Sequence, residues 1–283
     1  MTVDPFLPMS PVDTAEGGDL KTLTDAGSPR TNAVKIAACQ LPYVHQDINR
    51  ALAIILEYAA RAESQGARLI CLPECYLQGY VYVGENTEEL AFDLSSPAFG
   101  RILQALAQLT ATVVFGFIER EGTRLFNTAV VVESGVVLGR YRKAKLLAGE
   151  SQFEAGSSFP IFDLYGVKFG INICNDLNFP ECAQAVAEQD ARLLLCPCNN
   201  MMRKSDAERW NRKHNEIRKR RALETGMCLI SSDVTGEWNG RVSYGSTAAI
   251  EGNGSVVCQV DRMQPGLIIY ELQVVPGDGD KRV

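Results

Sequence analysis

The sequence predicts an α/β fold, a four-layer αββα sandwich of two mixed sheets with internal pseudo-duplication. Three observations carry this expectation. Apolar runs of strand length alternate with segments of helical spacing along most of the chain. Two short segments recur in the same order in both halves. Val34-Lys35 is echoed by Val167-Lys168, and Ala67-Arg-Leu-Ile-Cys-Leu-Pro73 by Ala191-Arg-Leu-Leu-Leu-Cys-Pro197. Finally, 283 residues, 46% of them hydrophobic, suffice for one large core without a disulfide or metal staple. If helices cover one face of each sheet, the two bare faces pack together.

Taken in order, residues 34–40 form an apolar run suited to a buried strand. Residues 47–65 follow with Ile48, Leu52, Ile55 and Ala59 at helical spacing, and Gly66 stops them. Residues 68–72 read as a second buried strand ending at Pro73-Glu74, and residues 97–109 as a helix. Three neighbouring strands are expected at 112–118, 126–132 and 136–141, with Glu133-Ser134-Gly135 as a hairpin turn. In the second half, 167–173 is a strand, 180–189 a short helix and 192–196 a strand. Residues 205–225 read as one long helix, opened by a Ser205–Glu208 capping box, striped by Ala207, Trp210, His214 and Ile217, and ended by Gly226. Its basic run, Arg218-Lys-Arg-Arg221, reads as a solvated helix face.

Composition narrows the function. A net charge of −6 argues against nucleic acid or an anionic membrane as the main partner. No apolar stretch approaches the length needed to cross a bilayer. Residues 1–32, rich in Pro, Gly, Asp, Ser and Thr, read as a flexible leader without the features of a signal peptide, and residues 33–283 as the folded domain. The nine cysteines lie mostly inside apolar runs, the pattern of a reducing, cytoplasmic protein. Cys196-Pro-Cys198 hints at metal or redox chemistry. With no CxxC pair and only His45 and His214 available, no metal site is expected.

Among the thiols, Cys174 stands out because it ends a buried run, Gly170-Ile-Asn-Ile173, and precedes the turn residues Asn175-Asp176. A thiol there reads either as a reactive group at a sheet edge or as one more small hydrophobe. A nucleophile would need an activator, since a free thiol is only slightly ionised at neutral pH. Neither His45 nor His214 stands in a suitable context. Glu74, at the end of Leu69-Ile-Cys-Leu72, is a partly desolvated carboxylate that fits a general base, or equally a helix cap or ion-pair partner. Lys143, in Tyr141-Arg-Lys143, reads on its own as a snorkelling surface lysine.

Together these contexts resemble the nitrilase-like (carbon–nitrogen hydrolase) superfamily. The matching segments are Leu72-Pro-Glu74, Tyr141-Arg-Lys143, and Gly170-Ile-Asn-Ile-Cys174-Asn-Asp176 with Phe179-Pro-Glu181, in that order. The resemblance implies Cys174 as nucleophile, Glu74 as general base, and Lys143 with the Asn175 backbone N–H as donors to the oxyanion. It implies a second glutamate in the loop after the lysine, best matched by Glu150, with Glu154 as rival. In many family members a histidine follows the lysine by two residues. Here Lys145 stands there, a competitor on the same strand face if the strand continues.

The implied reaction is hydrolysis of a non-peptide C–N bond, an amide or N-carbamoyl group of a small molecule, through a cysteine thioester. No cofactor is implied, and a homodimer or larger homo-oligomer is. Tyr80, Asn199, Asn200 and Met201, all after strand ends, are expected to line the substrate pocket, and Arg203 is either a carboxylate holder or a surface arginine. The Cys174-Asn175-Asp176 sequence is similar to N-carbamoyl amino acid hydrolases, whereas true nitrilases carry Trp-Glu after the cysteine. A true nitrilase and a non-catalytic binding protein of the same fold are the alternatives. An acyltransferase of the membrane-bound kind is disfavoured by the lack of spans.

Overall fold

In the computed structural model, residues 32–82 and 85–274 are described. The expected leader lies outside them apart from Asn32, which opens the first strand. The elements in chain order are β1 (Asn32–Pro42), α1 (Ile48–Ser64), β2 (Leu69–Cys71), α2 (Thr87–Leu90), α3 (Pro97–Leu106), β3 (Thr112–Glu121), β4 (Arg124–Glu133), β5 (Val136–Arg142), β6 (Phe162–Leu164) and β7 (Val167–Ile171). There follow α4 (Pro180–Ala187), β8 (Leu193–Pro197), β9 (Met202–Arg203), α5 (Lys204–Asn211), α6 (Lys213–Thr225), β10 (Cys228–Trp238), β11 (Arg241–Ser243), β12 (Ala248–Ile250), β13 (Val256–Gln259) and β14 (Gly266–Val274).

Local chemistry accounts for the ends of several elements. The Asp47 side chain accepts from Arg50 N at 3.0 Å and caps α1, satisfying one of the free N–H groups of its first turn. Ser96 caps α3 in the same way through Phe99 N. The β4–β5 hairpin turns at Ser134 (φ 48°) and Gly135 (φ 76°), a left-handed pair whose twist matches that of the flanking strands.

The two halves are mixed α/β units of the same design. In the first, β1, β2 and β3 run parallel and β4 and β5 fold back antiparallel. In the second, β10, β8 and β7 run parallel, with β6 antiparallel at the edge. The recurring segments occupy the same register in both halves. Ile36 pairs with Leu69 as Phe169 pairs with Leu193, and Arg68 N donates to Lys35 O as Arg192 N does to Lys168 O, each at 2.9 Å. The halves are also joined by hydrogen bonds, since β1 and β10 pair parallel from Gln40–Asp233 to Pro42–Thr235. One strand path therefore runs β5-β4-β3-β2-β1-β10-β8-β7-β6.

Period-two alternation sorts the strands' side chains between layers. Val34, Ile36 and Ala38 of β1 share a core with Val167, Phe169 and Ile171 of β7 and Leu193 and Leu195 of β8. Ala37, Cys39 and Leu41 instead pack with Ala51, Ile55 and Ala59 of α1 and with Phe99 of α3. Leu194 and Cys196 of β8 face Ala183 and Val186 of α4. Helix-on-sheet, sheet-on-sheet and sheet-on-helix cores are the packing that an αββα arrangement requires. Each fully buried Ile, Leu or Phe contributes about 1.5–3 kcal/mol.

Three expectations for residues 205–225 need correction. The long helix is two, α5 and α6, meeting at Arg212, which keeps right-handed helical angles (φ −79°, ψ −28°). Periodicity cannot register a junction that never leaves the helical basin. The start is at Lys204, and no side chain caps it, so the Ser205–Glu208 box is not formed. The basic run is also not a solvated face throughout: Arg218 and Arg221 are 2% and 4% exposed. Arg218 donates to Ser246 O, to Ser246 Oγ at 3.0 Å and to Cys198 Sγ at 3.3 Å. Gly226 does end α6, in the left-handed conformation at φ 71°. Among the described residues no helix is long and apolar enough to cross a membrane.

Candidate active site

Three segments converge where the strands of both halves end. Glu74 follows β2, Lys143 follows β5, and Glu150 closes a short 3₁₀ turn at Ala148–Glu150. All three side chains are fully buried. Lys143 Nζ donates to Glu74 Oε1 at 2.7 Å and to Glu150 Oε1 at 2.8 Å. Lys143 is therefore no surface lysine. Burial alone would lower its pKa, but the Glu74 and then the Glu150 carboxylates overcome this and hold it well above the usual lysine range. It stays an ammonium. Two of its three N–H donors are engaged by carboxylates, leaving one free to bind a ligand.

Glu74 is held from every side. Oε1 also accepts from Asn127 Nδ2 at 2.8 Å, and Oε2 accepts from Asn199 N at 2.9 Å. Burial pushes its carboxyl above the ordinary value, against the pull of Lys143. The tight fit of its turn depends on Gly116 in β3. A Cβ there would lie 2.6 Å from Glu74 Cα and 2.6 Å from Pro73 O, and would run into Cys75 N as well. Since backbone cannot rotate away, Gly116→Ala is expected to destabilise the protein by about 1–3 kcal/mol, read as a lower midpoint in urea unfolding. An unchanged midpoint would show that the β2 turn has slack.

Cys174 opens a 3₁₀ turn, Cys174–Asn178, directly after the β7 run, at φ 44°. A left-handed non-glycine residue costs roughly 1–2 kcal/mol and survives only where its surroundings enforce it. Here Asp176 enforces it. Its buried carboxylate accepts from Ile173 N (2.8 Å) and Tyr141 OH (2.8 Å) through Oδ2, and from Lys145 N (2.7 Å) and Ala144 N (3.2 Å) through Oδ1. One side chain thus pins the Cys174 turn to the segment carrying Lys143. The Cys174 thiol is half-buried and 3.9 Å from Asn200 Oδ1. Hydrogen bonding with Cys198, then burial and the Glu74 charge, push its pKa well up, with Lys143 pulling the other way. At rest it is a protonated thiol.

The thiol opens onto a cavity of about 700 Å³, lined by Tyr80, Asn175, Asn199, Asn200 and Met201 as expected, with Arg203 at an exposed position on its wall. Asn200 is oriented by Asp233, which accepts from its N at 3.0 Å and from its Nδ2 at 2.6 Å. The Asn175 side chain is occupied elsewhere, donating to Lys145 O and accepting from Asn178. Its backbone N–H lies in the first turn of a short helical segment, where N–H groups lack intrahelical acceptors.

The rivals lie outside this cluster. Lys145 is exposed and pairs with Glu181 at 2.8 Å. The same-face argument fails because β5 ends at Arg142, so alternation does not extend to residue 145. Glu154 is 56% exposed, 3.9 Å from Arg124. His214 is half-buried on the cavity wall, and desolvation lowers its pKa to about 3. Sequence reasoning missed Asn127, which links Glu74 and Glu150 through one Nδ2 (2.8 and 3.1 Å), and the anchoring by Asp176. The signals were there: an asparagine within the apolar run of β4, and an aspartate two residues after Cys174.

A family model described as carbon-nitrogen hydrolase matches residues 35–276. A protein named nitrilase from Pyrococcus abyssi is 30% identical over 217 residues, 75% of this chain and 79% of that one. An (R)-stereoselective amidase from Pseudomonas sp. is 29% identical over 196 residues, 69% of each. The crystal structure of an amidase from Nesterenkonia sp. superposes with a TM-score of 0.73 at 25% identity, covering 86% of this chain and 92% of that one.

Proposed function

The chain belongs to the carbon–nitrogen hydrolase family, and on that premise we propose that it hydrolyses the amide or N-carbamoyl group of a small molecule through a thioester on Cys174. The observation that carries this reading is the buried Lys143, held between two carboxylates at 2.7 and 2.8 Å and within electrostatic reach of the Cys174 thiol, which lines the cavity. Glu74, whose carboxyl burial pushes above its ordinary pKa and so makes a stronger base, takes the thiol proton as sulfur attacks the carbonyl carbon. Negative charge gathers on the carbonyl oxygen and is met by the third N–H of Lys143 and by the Asn175 N–H. Glu74 returns the proton to the departing ammonia or amine. Water, deprotonated by the same carboxylate, then releases the acid and restores the thiol. Glu150 fixes the ammonium between two acceptors and adds a second negative charge near the leaving nitrogen.

Amide is favoured over nitrile because the two donors address a carbonyl oxygen, which an amide or ureide brings and a linear nitrile lacks. The test is ammonia release from matched pairs, each a carboxamide and its parent nitrile, together with N-carbamoyl amino acids. Faster turnover of the carboxamide or carbamoyl member is expected. Faster nitrile consumption across several pairs would overturn the reading.

A further inference from the structure

Three thiols, Cys174, Cys196 and Cys198, meet at one apolar cluster, and hydrolysis as proposed uses only one. The sulfurs of Cys196 and Cys198, separated in sequence by Pro197, lie 3.5 Å apart. Cys174 packs against the apolar cluster that contains both. Cys174 and Cys198 both line the cavity. The buried guanidinium of Arg218 donates to Cys198 Sγ through Nη2 at 3.3 Å. A cation aimed at a buried sulfur stabilises negative charge as it develops there.

We propose that Cys198 is the resolving thiol for Cys174, so that a hydroperoxide closes a Cys174–Cys198 disulfide that shuts the site reversibly. The proposal rests on reading Cys174 as the reactive thiol. The Cys174 sulfur, losing its proton to Glu74, attacks one oxygen of the peroxide. The O–O bond breaks, two electrons pass from sulfur to oxygen, and water or an alcohol leaves with the proton, giving a sulfenic acid. Cys198 Sγ then attacks that sulfur. The S–O bond breaks, and hydroxide departs as water with the Cys198 proton. The net change with hydrogen peroxide is two thiols and one peroxide to one disulfide and two waters. A sulfenic acid without a neighbouring thiol proceeds instead to the sulfinic acid, which ordinary thiols do not reduce. Cys198 therefore decides whether oxidation is a reversible pause or a permanent loss.

The experiment treats the full chain with hydrogen peroxide in molar excess, enough for two oxidations per thiol, blocks free thiols, and maps the cysteine peptides by mass. Amide hydrolysis is measured before treatment, after it, and after dithiothreitol. The wild type is expected to lose two hydrogens, to yield a linked Cys174–Cys198 peptide, and to recover most of its own starting activity. Cys198→Ser is expected to carry two added oxygens at Cys174 and to recover none. Cys198→Ala, checked by thermal unfolding, serves if the serine variant folds poorly. Linkage of Cys174 to Cys75, linkage of Cys196 to Cys198, or a sulfinic Cys174 in the wild type would each overturn the proposal. The mapped bond reports on Cys198 even if the protein turns over no amide, whereas turnover before oxidation reports on the hydrolase reading alone.

Discussion

Cys174→Ala is expected to abolish amide turnover while leaving the fold intact. The thiol is the group proposed to form the thioester, and an alanine side chain offers no atom that can do so. Its loss should cost little stability. The Cys174 turn is held chiefly by the Asp176 carboxylate and its four donors, none of which is the thiol. The measurement is ammonia release at high enzyme concentration beside a thermal melt. A melt close to wild type with no detectable turnover is the predicted pair. Iodoacetamide, read by peptide mass, should alkylate Cys174 ahead of Cys39 and Cys71, which are fully buried. Near-normal turnover by the alanine variant would remove the thioester mechanism altogether.

Lys143→Ala is expected to lower kcat by about a hundredfold or more, the loss typical of removing one oxyanion donor. It should also destabilise the protein. Removing the ammonium leaves the Glu74 and Glu150 carboxylates facing each other in a buried site, and breaking a buried ion pair from one side costs about 3–5 kcal/mol. The two effects are separated by measuring kcat on the folded fraction at low temperature and stability by urea titration. Lys145→Ala, which loses only an exposed pairing with Glu181, should change neither by much. If the larger loss in kcat fell on Lys145, the assignment of the oxyanion donor would be wrong.

Much of this architecture was legible in the sequence because it rests on local rules. Gly66, Gly226 and the Ser134-Gly135 turn are punctuated by left-handed backbone that few residues adopt. The repeat Ala67–Pro73 and Ala191–Pro197 was readable as letters, and it marks equivalent registers in the two halves. Where reading failed, the deciding fact was not local. Arg218 looked like part of a solvated basic face, yet it is buried because Ser246 and Cys198, distant in sequence, supply acceptors for it. The junction of α5 and α6 at Arg212 escaped because its backbone stays helical. Asn127 lies within β4, and only its two carboxylate partners, distant in sequence, give it a purpose.

The sequence by itself determined most of the strands and helices up to residue 196, the repeat, and which glutamate, lysine and cysteine deserved suspicion, since periodicity, turn residues and short motifs are properties of neighbours along the chain. Only the tertiary structure distinguishes the surroundings of Lys143 from those of Lys145, and those of Glu150 from those of Glu154. Each pair is chemically alike and lies close in sequence, so their difference is one of surroundings. Lys143 and Glu150 are sealed in a site of low dielectric where each needs the other, whereas Lys145 and Glu154 are within reach of water, which screens their pairings with Glu181 and Arg124.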